Sequence, residues 1–168
     1  IDISKITLQN KGDRVYIKAN HPGTTANPTP YTHIRVLNES TSTKIQARGN
    51  IASLNYAKDD VYKTNYYNTL PDACYVGLFM GCKSLIKAPD LPAVNLSKLC
   101  YRSMFSGCTN LKYIYSAAAN ISSNCTLEWV KGVASTGDFY AQSPAIVNWT
   151  TGDNGIPAGW IRHQIYSD

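Results

Sequence analysis

The sequence has few charged residues and no run of charges of one sign. Only 16% of its 168 residues are charged, and the formal net charge of +5 comes from Lys and Arg that are scattered singly. A nucleic-acid-binding arm or a polybasic membrane patch would concentrate basic residues, so neither is predicted. No apolar stretch approaches the length of a transmembrane helix or of the hydrophobic core of a signal peptide, which excludes membrane insertion of this fragment.

Spacings typical of metal sites and of catalytic groups are missing as well. Structural zinc sites use close pairs such as C-x2-C, whereas the five cysteines are 8, 18, 8 and 17 residues apart. The sequence contains no phosphate-binding loop, no Ser-His-Asp arrangement and no nucleotide fingerprint. We therefore predict no metal, no cofactor and no enzymatic activity.

What the chain does contain is typical of strands and turns. Tyr outnumbers Phe by 12 to 3, and Thr, Ser and Asn are abundant. This composition fits a globular extracellular or periplasmic protein, and the length suffices for one domain with a core of its own. Because the chain begins with Ile1, we interpret it as a processed or truncated piece of a longer protein.

An internal repeat is the most informative feature of the sequence. The segment "LPDACYVGLFMGCKSL" (70–85) matches "LSKLCYRSMFSGCTNL" (96–111) at an offset of 26 residues, in its Leu, Cys, Tyr, Phe and Gly positions. A third, modified copy, "ISSNCTLEWVKGV" (121–133), follows at an offset of 25. A unit that cannot bury its apolar face alone must stack on its neighbours, so the repeat predicts a solenoid.

Each unit is interpreted as strand, turn and helix. Apolar residues at i, i+4, i+5 and i+8, such as Cys100, Met104, Phe105 and Cys108, match one face of a two-turn helix. The short run "LKYIY" (111–115) has the length and partial alternation of a strand. A nine-residue helix would hold Cys100 and Cys108 about 12 Å apart, and neighbouring helices pack about 8–10 Å apart. Both distances exceed the reach of a disulfide, so we expect five reduced, buried thiols that act as small hydrophobes.

The repeat also resembles a known family. Its pattern C-Y-x-x-[LM]-F-x-G-C-x-x-L resembles the leucine-rich repeats of BspA-like surface proteins, also called the Treponema pallidum type. It is most similar to the 26-residue variety found in gut Bacteroidetes and their phages. The terminal segments "GDFY" (137–140) and "NGIPAGW" (154–160) resemble the way such arrays end. The resemblance implies an α+β fold, in which a short leucine-rich-repeat solenoid is closed by a C-terminal β-hairpin cap.

Three regions are predicted. Residues 1–48 contain alternating runs, among them "TKIQARG" (43–49), and are interpreted as a small antiparallel β unit. Residues 49–145 form the solenoid, and residues 146–168 form the capping segment.

Two functional hypotheses remain open. The first is a non-catalytic recognition or adhesion module, cell-surface or phage-tail-associated, that binds a protein or glycan on a host or bacterial surface. The second is an accessory carbohydrate-binding or spacer domain of a secreted polysaccharide-degrading system, in which the β unit with Tyr16 and Tyr31 would bind the glycan. Either places the protein outside the cell, at the cell surface or on a phage virion.

The residues predicted to bind ligand lie on one strand of the solenoid and on its neighbour. In "LKYIY" the repeat pattern assigns Leu111 and Ile114 to the core. The predicted ligand-binding residues on the outward face are Lys87, Lys112, Tyr113 and Tyr115. The repeat offset places Lys87 beside Tyr113, one strand apart, at about 5 Å. Tyrosine offers contact area and a hydroxyl at low entropic cost, which suits a recognition surface.

Overall fold

A computed structural model of the chain describes residues 10–15, 43–54, 70–121 and 124–166. In these ranges the chain winds into a parallel β-solenoid of about three turns. One sheet has five strands in the order β1-β2-β4-β6-β7, and a second has two, β3 and β5. The strands are β1 (Ile45–Gln46), β2 (Leu85–Lys87), β3 (Asn95–Leu96), β4 (Tyr113–Ser116), β5 (Asn120–Ile121), β6 (Asp138–Gln142) and β7 (Ile161–Ile165). Two short 3-10 helices span Ile51–Leu54 and Ala145–Asn148.

The central strands of the five-stranded sheet alternate between core and surface. In β4 the side chains of Ile114 and Ser116 are buried, whereas Tyr113 and Tyr115 are only half-buried. The next strand repeats the pattern, with Phe139 buried directly beside Ile114. Successive side chains of a strand point to opposite faces, so each coil contributes one buried and one outward row. The predicted solenoid is confirmed in this coarser sense.

The helices predicted for the repeats are wrong. The segment from Leu99 to Cys108 is a ribbon of consecutive turns, with left-handed backbone at Leu99, Ser103 and Gly107. Along the ribbon, the backbone N–H groups alternate between acceptors in the next coil and acceptors in the ribbon itself. Those of Tyr101, Ser103, Phe105 and Gly107 donate to carbonyls of the next coil, at 2.8–2.9 Å, while the even-numbered residues between them donate three residues back within the ribbon. The fold is therefore not α+β in the described residues.

The reason for this error is the period of the ribbon. Its left-handed residues recur every four positions, so Cys100, Met104 and Cys108 point to the same side. An α-helix has 3.6 residues per turn, and over nine residues the two periods bring the same apolar positions together. Whether the segment forms an α-helix or a ribbon of turns depends on which carbonyls accept hydrogen bonds from its N–H groups. In this protein the neighbouring coil supplies acceptor carbonyls, so the ribbon is favoured. An isolated segment has no such neighbour.

The left-handed positions lead to a matched pair of substitutions. Gly107 has φ +76°, and a Cβ there would lie 3.5 Å from the Cα of Gly81, an ordinary contact. The cost of Gly107→Ala is therefore backbone strain, and we expect a loss of about 1–2 kcal/mol in the free energy of unfolding. Ser103 already carries a Cβ at φ +52°, so Ser103→Ala should change stability by less than about 0.5 kcal/mol. Urea denaturation of both variants measures the difference, and equal losses would contradict the ribbon conformation.

The C-terminal segment also differs from its prediction. The expected closing hairpin is absent from the described residues, because β7 pairs in parallel with β6 over all five of its residues. The Asn-Gly turn at 154–155 lies in a tight loop that packs on the third ribbon, the consecutive turns of residues 124–132 in the third repeat copy. There the Thr126 hydroxyl donates to the carbonyl of Asn154 and the Trp129 indole donates to that of Gly155, both at 2.7 Å. The chain thus continues around the solenoid for one more coil.

The N-terminal prediction lies mostly outside the described residues. Its last run, 43–49, is described and includes β1, which pairs in parallel with β2 in the solenoid sheet. Within the described residues, this run therefore pairs as a parallel strand of the solenoid sheet. Of the rest of residues 1–48, only 10–15 are described, and the boundaries at 48/49 and 145/146 stay predictions.

Stacked aromatic rings fill the core along the solenoid axis. Tyr75 stacks on Tyr101 at 6.0 Å between ring centroids, and Phe79 stacks on Phe105 at 5.7 Å. Both columns end on the indole of Trp129, which lies 6.1 Å from the ring of Tyr101 and 6.0 Å from that of Phe105. Equivalent positions in successive coils stack in a solenoid. The repeated Tyr and Phe of the sequence therefore form columns of stacked rings in the core.

Candidate ligand-binding face

The residues predicted to bind ligand all lie on or beside the outward face of the five-stranded sheet. Leu111 and Ile114 are buried in the core, as the repeat pattern predicted, and Tyr113 and Tyr115 face outward from β4. Lys87 of β2 is in register with Tyr113, which confirms the predicted neighbours. Lys112 directly precedes β4 and is exposed. The role of these residues in binding stays a prediction.

A continuous row of side chains crosses this face from β2 to β7. The row, named here the aromatic row, consists of Lys87, Tyr113, Tyr140 and His163. The Lys87 ammonium lies 4.2 Å above the centroid of the Tyr113 ring. The Tyr113 ring is 4.9 Å from that of Tyr140, which in turn stacks on the His163 imidazole at 4.3 Å and 11°. Four neighbouring strands thus present one contiguous surface.

Electrostatic contacts hold the two ends of the aromatic row. The Lys87 ammonium over the face of Tyr113 is a cation–π contact, since the ring quadrupole attracts a cation. At the other end, Nε2 of His163 lies 2.7 Å from the Asp138 carboxylate. Partial burial, followed by the nearby Tyr140 phenol, raises the pKa of Tyr113. The phenol therefore stays neutral and remains a hydrogen-bond donor at neutral pH.

Sequence reasoning missed Tyr140, Asp138 and His163. The segment "GDFY" that contains the first two was used only as a sign of the family. Extending the 25-residue offset by one coil would have placed Asp138 beside Tyr113 and Tyr140 beside Tyr115, as the register shows. His163 follows at an offset of 23 from Tyr140 and breaks the repeat, so the sequence carries no signal for its position.

None of the five cysteines forms a disulfide, although one reason for expecting this was wrong. The Tyr75 N–H donates to the Cys100 carbonyl of the next coil at 2.9 Å. Coils bonded in this way stack about 5 Å apart, so distance alone does not exclude a disulfide between equivalent cysteines. All five nevertheless stay outside any disulfide, and four of them are buried, whereas Cys74 is half-buried. Burial raises the pKa of the Cys100 thiol far above its ordinary value.

These environments predict an order of thiol reactivity. Only the thiolate is nucleophilic, so a buried thiol with a raised pKa reacts slowly. In the native protein Cys74 should be alkylated first, and Cys82, Cys100, Cys108 and Cys125 should follow only as the chain opens. Without reductant but under denaturing conditions, all five should react. Peptide mapping after timed alkylation checks the order, and a defined Cys–Cys linkage would contradict it.

The described residues contain no group of three or more His, Cys, Asp or Glu side chains that could hold a metal ion. In the same part of the chain, no helix is long and apolar enough to cross a membrane. Comparison of the sequence and the structure with protein-family models, curated proteins and solved structures finds no match. The geometry of the candidate face is therefore the basis on which a function can be proposed.

Proposed function

We propose that the protein is a non-catalytic recognition module that binds a protein or glycan through the outward face of its sheet. The observation that carries this proposal is the aromatic row. Its rings and its cation are half-exposed and in mutual contact, and they stand on hydrogen-bonded strands rather than on loops. A preorganised surface of this kind loses little conformational entropy when it binds.

The chemistry of the face suits recognition by contact. Tyrosine is enriched at binding surfaces because its ring buries a large area while its hydroxyl still forms hydrogen bonds. Tyr115 lies one row beyond Tyr113 on β4 and is paired with Tyr140, so it extends the same surface. The resemblance to BspA-like surface proteins agrees with this proposal, and with a location outside the cell or on a phage virion.

The test compares two multiple variants of the intact chain. Replacement of Lys87, Tyr113 and Tyr115 together by Ser removes the predicted contacts from the solvent side of the sheet, so the core should remain intact. We expect the variant to bind at least tenfold more weakly, a change of about 1.4 kcal/mol. Binding is measured on arrays of extracellular-matrix proteins and of oligosaccharides, and on whole bacterial cells.

The matched control removes a lysine and a tyrosine elsewhere. Lys98 and Tyr166 are both exposed, and Tyr166 has 71% of its surface accessible. The Lys98→Ser, Tyr166→Ser variant should bind as the unchanged protein does. If the folded triple variant retains full affinity, the sheet face is not the binding surface. If substitution of Tyr16 and Tyr31 then abolishes glycan binding, the accessory carbohydrate-binding hypothesis is favoured.

A further inference from the structure

A groove of about 450 Å³ lies next to the aromatic row, where β4 and β6 end. Tyr115 forms the part of the groove that adjoins the sheet. Ala117 and Ala119 follow β4 in the same coil and line the groove. From the following coil, Gln142 at the end of β6 and Asn148 in the 3-10 helix also line it. The volume falls within the range of about 300–1,000 Å³ that is typical of small-molecule sites.

The lining of the groove is uncharged and mixed, with polar side chains set among a larger apolar surface. None of the described residues that line it is acidic or basic, although the chain as a whole carries a net charge of +5. The polar groups that line the groove are three carboxamides, the Ser143 hydroxyl and the Tyr115 phenol. The carboxamides belong to Asn120, Gln142 and Asn148. Each carboxamide offers both donors and acceptors. The groove is thus matched to a neutral ligand that carries both apolar C–H groups and hydroxyl groups, and an anionic ligand would find no counter-charge among these lining residues.

Hydrogen bonds between coils fix the backbone of Ala117 and Ala119, which line the groove. The N–H groups of Ala117 and Ala119 donate to carbonyls of the preceding coil, those of Leu91 and Val94, both at 2.9 Å. The Asn148 amide nitrogen donates to the Ala119 carbonyl at 2.7 Å. This bond orients the Asn148 carboxamide and leaves its oxygen as the acceptor. The small side chains of both alanines keep the space open, so the site is preformed.

From this lining we infer that the groove binds one neutral sugar residue of a glycan. A pyranose presents C–H groups on one face and hydroxyls around its edge. The negative face of an aromatic ring attracts C–H groups, which assigns that contact to Tyr115. The carboxamides of Gln142 and Asn148, with the Ser143 hydroxyl, supply donors and acceptors for the edge. The inference rests on the proposed recognition function and names the ligand class for this part of the face.

A proline-rich peptide is the main competing occupant, and the lining argues against it. Such peptides dock into grooves that are lined by several aromatic side chains. Tyr115 is the one aromatic residue among the described residues that line this groove. Three carboxamides beside a single ring favour hydroxyl groups over proline rings.

The experiment uses the intact chain on an array that carries neutral, sialylated and sulfated oligosaccharides. We expect binding to neutral oligosaccharides, and the strongest of these is then titrated calorimetrically. Gln142→Ala should raise the Kd about tenfold. Ala119→Leu, which fills the groove, should abolish binding, while circular dichroism verifies that it is folded. Gln164→Ala is the control, since Gln164 is exposed on β7 outside the groove, and it should leave the Kd unchanged.

Each other outcome overturns the inference. It fails if no neutral oligosaccharide binds, if neither groove variant weakens binding, or if a polyproline peptide binds in a way that the groove variants disrupt. A separate variant, Lys87→Ser with Tyr113→Ser, removes two of the four members of the aromatic row and changes no residue that lines the groove. If the chain binds a protein ligand that only this variant weakens, the proposed function stands while the sugar site fails. If the chain binds none of the probes, both fail.

Discussion

Replacement of Trp129 by Ala should lower the free energy of unfolding by about 3–5 kcal/mol, the range for large aromatic side chains removed from a core. Trp129 is fully buried, and its ring lies 5.2 Å from that of Trp149 in addition to the two columns that end on it. The substitution also removes the donor of the indole bond to the carbonyl of Gly155, which is itself buried. An unsatisfied buried acceptor adds about 1–3 kcal/mol, so the loss should fall at the upper end of the range.

Urea denaturation followed by far-ultraviolet circular dichroism measures this effect without relying on tryptophan fluorescence. Trp129→Phe keeps part of the ring contact but not the hydrogen bond, and it should be intermediate. Val147→Ala is the control, because Val147 has 72% of its surface exposed and should lose less than about 0.5 kcal/mol. If Trp129→Ala has the same denaturation midpoint as the unchanged protein within error, the ribbon of residues 124–132 is not packed into the core.

Phe105→Ala should cost a similar amount, about 3–5 kcal/mol, because Phe105 is fully buried between two other rings. Its centroid is 5.7 Å from that of Phe79 and 6.0 Å from that of Trp129. Phe79→Ala should cost less, since Phe79 is 5% exposed and is the first ring of its column among the described residues.

The two phenylalanines allow the stacking itself to be measured. Residues in contact do not contribute additively, so the double variant should lose less than the two single variants together. The expected coupling is about 0.5–1.5 kcal/mol, the range for aromatic pairs. Thermal and urea denaturation of the two single variants and the double variant complete the cycle. An unchanged melting temperature in either single variant would show that the coils are stacked in a different register.

The position of the candidate face could be predicted from the sequence because it follows from the repeat. A fixed offset places Lys87 beside Tyr113 whatever conformation connects the strands, since successive coils must align equivalent residues. The same argument was available for Tyr140 and would have extended the face by one strand. The groove beside the aromatic row was not predictable, because it depends on Asn148 in a helix that lies outside the repeat pattern.

By itself, the sequence determined that the chain stacks in coils and which residues of "LKYIY" enter the core. Both follow from a repeat in which an apolar face can be buried only against the next copy. The tertiary structure alone decided that the segment around Met104 is a ribbon of turns, because its N–H groups bond to carbonyls 24 residues away. Likewise, only the tertiary structure made the Asn-Gly turn at 154–155 part of another coil. A turn signal specifies a local reversal, whereas the direction of the following strand is set by the sheet on which it packs.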